Sequence, residues 1–423
     1  MQTADFRRYA HQLADWMADY FENIEQYPVK PPVQPGDIKS QLPAGPPLEG
    51  EAFEQIMADF EHIIMPGMTH WQHPQFFAYF PASRSAPSVL AEMLTAAIGA
   101  QCMIWYTSPA AEELEERCME WLREMLALPA GWAGSIQETA SAATLAALLM
   151  ARERISNFQV NQKGWYGQPR LRVYASEHIH SSIPKGVRIA GFGEENLVLI
   201  PTDENFAMLP DKLEAAIEHD LSLGSQPACV VAAIGTTSST AIDPIRPIGE
   251  LCQKYGLFFH VDAAYAGTAL LLPEQRWMSE GMELADSFVF NPHKWLFTNF
   301  DCTAFFVKDK KLLTDTFSIL PEYLKTPLDQ QVNNYRDWGI QLGRRFRALK
   351  LWFVIRTYGL EGLQARLREH IRIGQWLAAE IEKEPDFELL APVPLNLVCF
   401  RYHPKGGYSE EQLNRINEQL LQT

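Results

Sequence analysis

The chain has 423 residues, with 36 lysines and arginines against 52 aspartates and glutamates, giving a formal net charge of −16. That balance argues against a nucleic-acid partner, because phosphate binding needs a basic footprint that is absent. The length and a 47% apolar content suffice for two or three domains with a large core.

No apolar run approaches the roughly 18 residues of a membrane span, and the first residues are polar rather than signal-like. The six cysteines (Cys102, Cys118, Cys229, Cys252, Cys302 and Cys399) are scattered, without a CxxC pair. They read as reduced thiols of a cytoplasmic protein.

In chain order, residues 5–24 carry a helical apolar stripe through Phe6, Tyr9, Leu13, Trp16, Met17, Tyr20 and Ile24. A proline-dense segment over 27–47 is neither helix nor central strand. A second amphipathic helix is expected over 53–64. A helix with an extended arm has no core of its own, and the pattern leaves open whether it packs on its own chain or on a partner subunit.

From about residue 85 to 310, apolar runs at 171–175, 196–200, 228–234, 257–261, 287–290 and 303–307 read as strands. Helical segments such as 210–219 and 247–254 lie between them. This alternation predicts an α/β fold with a mostly parallel sheet covered on both faces. The polar stretch 321–339 reads as a mobile loop, 344–358 as a helix, 395–401 as a strand and 410–421 as an amphipathic helix. The expected domains are an N-terminal arm over 1–84, a large domain over 85–356 and a small one over 357–423.

In open parallel sheets, ligands sit beyond the carboxyl ends of the strands. Polar residues collect there in strand after strand: Glu177, His178 and His180; Thr236 and Thr237; Asp262; Asn291, His293 and Lys294. Lys294 follows directly on an apolar strand, where desolvation favours the neutral amine and so a nucleophile able to form a Schiff base. Asp262 ends the preceding strand. A carboxylate and such a lysine at adjacent strand ends suit pyridoxal phosphate, with the acid on the pyridinium nitrogen and the lysine on the aldehyde.

Thr139, Ala140 and Ser141 open a long Ala/Leu helix, which is either an ordinary N-cap or a phosphate cradle. No GxGxxG fingerprint supports a dinucleotide. His70 and His73 are not spaced as a helical zinc pair, and no metal is expected.

Six motifs make the chain resemble the aromatic L-amino acid decarboxylases, a group of pyridoxal-phosphate decarboxylases of fold type I. They are the runs 64–71 (IMPGMTHW), 76–81 (FFAYFP), 180–182 (HSS), 260–267 (HVDAAYAG), 291–295 (NPHKW) and 342–347 (LGRRFR). The resemblance spans essentially the whole chain. It implies fold type I with a seven-stranded sheet, an N-terminal helical arm and a small C-terminal α+β domain.

It further implies that Lys294 is the Schiff-base lysine, Asp262 the pyridinium partner and His180 the ring-stacking histidine. Thr139, Ala140, Ser141, Asn291 and His293 would form the phosphate cradle, with Thr237 a further cofactor contact. Tyr335 would belong to a mobile catalytic loop reaching the neighbouring subunit of a homodimer. Trp71, Tyr79, Phe80 and Pro81 would wall the substrate's aromatic ring, with Ala82, Met103 and Ile104 at positions where relatives differ. The last strand and helix of the relatives' small domain would lie beyond residue 423.

The expected reaction is decarboxylation of tryptophan, tyrosine, phenylalanine or dihydroxyphenylalanine to the amine and CO2. Two alternatives stand within the family. An aromatic aldehyde synthase is associated with phenylalanine at the Tyr335 position or asparagine at the His180 position. A decarboxylase of acidic amino acids is kept open by Arg84.

Overall fold

Strands buried on both faces are written as almost unbroken apolar runs, and five of the seven strands of the main sheet follow that rule. The structure is a computed structural model that describes residues 1–319, 326–329 and 331–422. Its contacts group the chain into two units, Met1–Ala82 and Ser83–Thr423.

The first unit holds α1 (Thr3–Glu22), α2 (Asp37–Gln41) and α3 (Phe53–Asp59). A single π-helical turn over Phe60–Ile64 continues α3. Within this unit Tyr9 stacks near Phe53 and its hydroxyl donates to Glu54 at 2.7 Å. Tyr20 bonds the buried Nδ1 of His70 at 2.9 Å, so the extended arm is tied back to the first helix.

The second unit opens with α4 (Ala86–Ile98) and α5 (Pro109–Met125), which lead into β1 (Ala133–Gln137). Next come α6 (Ala140–Ser156), α7 (Gln159–Lys163), β2 (Leu171–Ser176), α8 (Ser182–Ile189) and β3 (Leu197–Ile200). The central part is α9 (Pro210–Ser222), β4 (Gln226–Ala233), α10 (Ile245–Tyr255), β5 (Phe258–Asp262) and β6 (Ser287–Phe290). It is followed by α11 (Pro292–Trp295), β7 (Thr303–Val307) and α12 (Lys310–Phe317).

The strand order is β1-β7-β6-β5-β4-β2-β3. Only β7 runs antiparallel to its neighbours, so the carboxyl ends of the other six share one edge. The small terminal part holds α13 (Arg347–Ile381), a hairpin of β8 (Phe387–Leu389) with β9 (Phe400–Tyr402), and α14 (Glu410–Gln422).

Side-chain alternation sorts the sheet into two faces. Val173, Cys229, Val231, Phe258, Val289 and Phe305 point to one core with Ala140, Ala143, Ala147 and Ala151 of α6. The alanines let α6 lie close on the strands, and they place its N-terminus at the carboxyl edge.

The structure departs from the sequence reading in four places. Strand β1 was not expected, because Ala-Gly-Ser-Ile-Gln is too small and polar to read as a strand. Helix α13 is two helices in succession: the expected one ends at Gly359, whose φ is +61°, and a second, not anticipated, runs on to Ile381. The strand expected over 395–401 is confined to Phe400–Tyr402. Of the loop expected over 321–339, residues 321–325 and 330 lie outside the described residues. The part around 334–338 is packed, with Tyr335 and Trp338 buried.

Candidate active site

Asp262 ends β5 and Lys294 sits in α11, four residues beyond the end of β6, the strand beside β5. Asp262 is almost fully buried, and its Oδ1 accepts the Ala264 N–H at 3.0 Å. Burial raises the pKa of this carboxyl, against the opposing pull of that N–H, Lys294 and His180. Burial also lowers the pKa of the Lys294 amine, against the pull of Asp262. Asp262 thus lies within electrostatic reach of Lys294 and His180. Burial shifts the lysine toward the neutral amine that nucleophilic attack needs.

His180 stands exposed after β2, with Nδ1 bonded to the Ser182 hydroxyl at 2.8 Å and accepting the Ser182 N–H at 3.1 Å. An imidazole whose Nδ1 accepts a backbone N–H carries its proton on Nε2 when neutral. Thr139 caps α6, and its side chain accepts the Ala142 N–H at 3.3 Å. Ala140 and Ser141 follow in the first turn, where backbone N–H groups have no intrahelical acceptor. The Ser141 side chain is exposed, so hydroxyl, N–H groups and helix dipole coincide.

Asn291 is buried, and its Oδ1 accepts the Thr303 hydroxyl at 2.7 Å, which fastens it to β7. His293 is also buried. Its Nδ1 accepts the Cys302 N–H at 2.9 Å, and burial pushes its pKa down to about 4. This ring nitrogen is committed to holding the turn before β7. Thr237 is exposed after β4, whereas Thr236 is buried and bonded to Ser239 and the Ala241 N–H. Gly235 between them and the strand has φ +88°, and a Cβ there would meet the Ala266 Cβ at 2.6 Å, so only glycine fits this turn.

Tyr335 stands apart from this group. Its side chain is 1% exposed, edge-on to Trp338 and under the Arg344 guanidinium, with no hydrogen-bond partner for the hydroxyl among the described residues. It lines a small cleft, with room of about 10 Å³, together with Gln137, Glu138, Gln341, Arg344 and Arg347. Burial raises its pKa far above the ordinary phenol value. A tyrosine packed in this way is a core residue of its own chain in this conformation.

Met103 and Ile104 adjoin the same segment. The Arg336 N–H donates to the Met103 carbonyl at 2.9 Å, and the Trp105 N–H donates to Asn334 Oδ1 at 3.1 Å. Trp71, Tyr79, Phe80, Pro81 and Ala82 belong to the first unit, where Trp71 stacks on Tyr79 at 5.7 Å and packs against Phe76.

Sequence reasoning assigned no role to Thr144 or Ser287, nor to His260 beyond its place in a motif. Yet Thr144 Oγ1 lies 3.2 Å from His260 Nε2, and His260 Nδ1 lies 2.8 Å from the Ser287 hydroxyl. The signal available was alternation: His260 is two residues before Asp262 and so on the same face of β5. Among the described residues no cluster of three or more His, Cys, Asp or Glu is arranged to hold a metal ion, and no helix is long and apolar enough to cross a membrane.

The donor set fits a phosphorylated pyridine aldehyde: a largely buried amine whose pKa burial lowers, a buried carboxyl for a ring cation, and a helix start for a dianion. Comparison with known proteins agrees. Residues 35–403 match the family model described as the pyridoxal-dependent decarboxylase conserved domain. An aromatic-L-amino-acid decarboxylase of Sus scrofa is 46% identical over 99% of this chain and 88% of its own length. A phenylacetaldehyde synthase of Arabidopsis thaliana is 42% identical over 100% of this chain and 87% of its own. The crystal structure of Oryza sativa TDC with PLP and tryptamine superposes with a TM-score of 0.96 at 36% identity, covering 100% of this chain and 89% of that one. The chain therefore belongs to the pyridoxal-dependent decarboxylase family and is a carboxy-lyase whose cofactor is pyridoxal phosphate.

Proposed function

We propose that this enzyme converts an aromatic L-amino acid to the corresponding amine and CO2. The observation that carries the reading is the shared crevice of Lys294 and Asp262 at adjacent strand ends, in a chain 46% identical to an aromatic-L-amino-acid decarboxylase. Pyridoxal phosphate bound there supplies an electron sink for the pair released when the bond from Cα to the carboxylate breaks.

In this reading Lys294 offers the neutral amine that holds the cofactor's aldehyde carbon. Asp262 keeps a negative charge in a buried place and so stabilises a protonated ring nitrogen. Thr139, Ala140 and Ser141 supply hydroxyls and N–H groups to the phosphate. Asn291 and His293 act by holding the turn that carries Lys294, and Thr237 adds a polar contact beside the crevice. His180, with its proton on Nε2, is the described side chain suited to hold or move a proton at Cα. The family resemblance assigns Trp71, Tyr79, Phe80, Pro81, Ala82, Met103 and Ile104 to the substrate's side chain.

The reading includes a cytoplasmic homodimer, with an arm over 1–84, a cofactor domain over 85–356 and a small domain over 357–423. All six cysteines are unpaired, which suits a reducing compartment. Exposed Leu90, Met93, Leu94 and Ile98 form one apolar stripe on α4, which supports a subunit contact.

The test is product analysis against the proteinogenic amino acids and dihydroxyphenylalanine. One aromatic amine formed per CO2 is the expected result. The similarity to a phenylacetaldehyde synthase keeps one second reading, in which peroxide and ammonia appear in step with CO2. Tyr335 and His180, in place of the phenylalanine or asparagine associated with aldehyde synthases, favour the amine outcome.

A further inference from the structure

Helix α6 and the two strands that precede the ring site are joined by one buried chain of polar side chains, Thr144–His260–Ser287. Thr144, His260 and Ser287 are all fully buried. His260 and Ser287 are register partners on β5 and β6. The imidazole lies 3.2 Å from the Thr144 hydroxyl through Nε2 and 2.8 Å from the Ser287 hydroxyl through Nδ1. Burial takes the His260 pKa down to about 3, so the ring is neutral and its two nitrogens are one donor and one acceptor. Both are used, and the ring edge meets Phe305.

The position of this chain is what gives it a role. Thr144 lies one helical turn below Ala140, roughly 6 Å along α6 from the phosphate-facing end. His260 lies two residues below Asp262, again roughly 6–7 Å along β5. The relay therefore sits at equal depth beneath the phosphate cradle and the ring anchors, and it is a polar cross-link in a contact otherwise made by alanines and aliphatic side chains. Apolar contacts between α6 and the sheet tolerate sliding along the helix axis. A hydrogen bond at fixed length does not.

We propose that His260 is a positioning residue. By holding Thr144 and Ser287 together, it sets the distance between the phosphate donors at the start of α6 and the Asp262–Lys294 pair, and so makes the site selective for the phosphorylated cofactor. This rests on the assignment of Thr139, Ala140 and Ser141 to the phosphate.

The test compares binding of pyridoxal phosphate with binding of unphosphorylated pyridoxal to the cofactor-free protein, read by equilibrium titration of absorbance rather than by turnover. Thr144→Val keeps shape and removes the hydroxyl, while Thr144→Ser restores it. The preference for the phosphorylated form is expected to fall on the order of tenfold in Thr144→Val and in Ser287→Ala, and to return in Thr144→Ser. Pyridoxal affinity should stay near wild type.

If Thr144→Val lowers only the melting temperature and leaves the preference intact, the relay is structural and the proposal fails. Ser141→Glu places a negative charge at the helix start and separates the two claims. An undiminished preference in that variant overturns the phosphate assignment itself. A preference lost in Ser141→Glu and retained in Thr144→Val overturns the relay alone.

Discussion

Asp262 and Lys294 close the ends of neighbouring parallel strands, and each limits how far burial drives the other toward neutrality. Burial raises the pKa of the carboxyl and lowers that of the amine, while their mutual attraction works against both shifts. Attraction thus favours the charged form of each group, and burial the neutral form.

Replacing Lys294 with alanine removes the nucleophile and leaves the surrounding strands in place. Turnover should fall by about a thousandfold or more, and the visible absorbance of the cofactor-loaded protein should vanish. The cofactor-free melting temperature should hardly move. A yellow, active Lys294→Ala protein would remove the lysine from the reaction.

Exchanging Asp262 for asparagine keeps the acceptor for the Ala264 N–H and removes the charge. Asp262 favours the ammonium form of Lys294, so its loss lowers the pKa of the amine further. Capture of pyridoxal by the cofactor-free protein speeds up as pH rises through that pKa. The midpoint should move to lower pH in Asp262→Asn, while turnover drops about a hundredfold or more. A midpoint that rises or stays put contradicts the pairing.

Glu112 on α5 is 3% exposed and has no hydrogen-bond partner for either carboxylate oxygen among the described residues. Burial and then Glu115 push its pKa up to about 8, with Arg344 opposing. A carboxyl whose folded pKa exceeds its unfolded one adds stability that is fully present below about 4.5 and lost as pH rises toward 8. Glu112→Gln cannot ionise, so its advantage should grow from pH 5 to pH 8, on the order of 2–4 °C at the upper end. Melting curves of the two proteins at both pH values decide it. A glutamine variant less stable at every pH would show that the carboxyl has a partner it needs.

His260 and His293 have pKa values lowered to about 3 and about 4. Unfolded histidine binds its proton near pH 6.5, so the unfolded state gains protons that the fold refuses. Their contribution is intact above about 6.5 and lost as pH falls toward 4 and then 3, at up to about 1.4 kcal/mol per pH unit for each ring. His260→Asn retains one of the two hydrogen bonds and cannot titrate. The stability gap between wild type and this variant should therefore narrow between pH 7 and pH 5. A constant gap would mean that His260 is protonated in the native protein.

The polar residues at the ligand edge were legible because a parallel sheet writes them in a fixed place. Phe288, Val289 and Phe290 announce a strand, and whatever polar residues follow it stand at the ligand edge. Lys294 and Asp262 are read in that way. Strand β1 was not, because an edge strand of small and polar residues has no apolar run to show.

The segment around Tyr335 was misread for the opposite reason. Its many amides suggested exposure, while two aromatic rings, Tyr335 and Trp338, anchor it in the core. The link from Thr144 through His260 to Ser287 depends on cross-strand register, which one sequence does not display.

The alanine face of α6 has a practical consequence for re-engineering. A methyl group is all that separates the helix from the strands at Ala143 and Ala147, so any bulkier residue there would lift the anion-holding end away from its ring partners. Libraries seeking altered amino-acid preference are best confined to positions outside this helix, since diversity on its inner side would be spent on proteins that cannot be loaded.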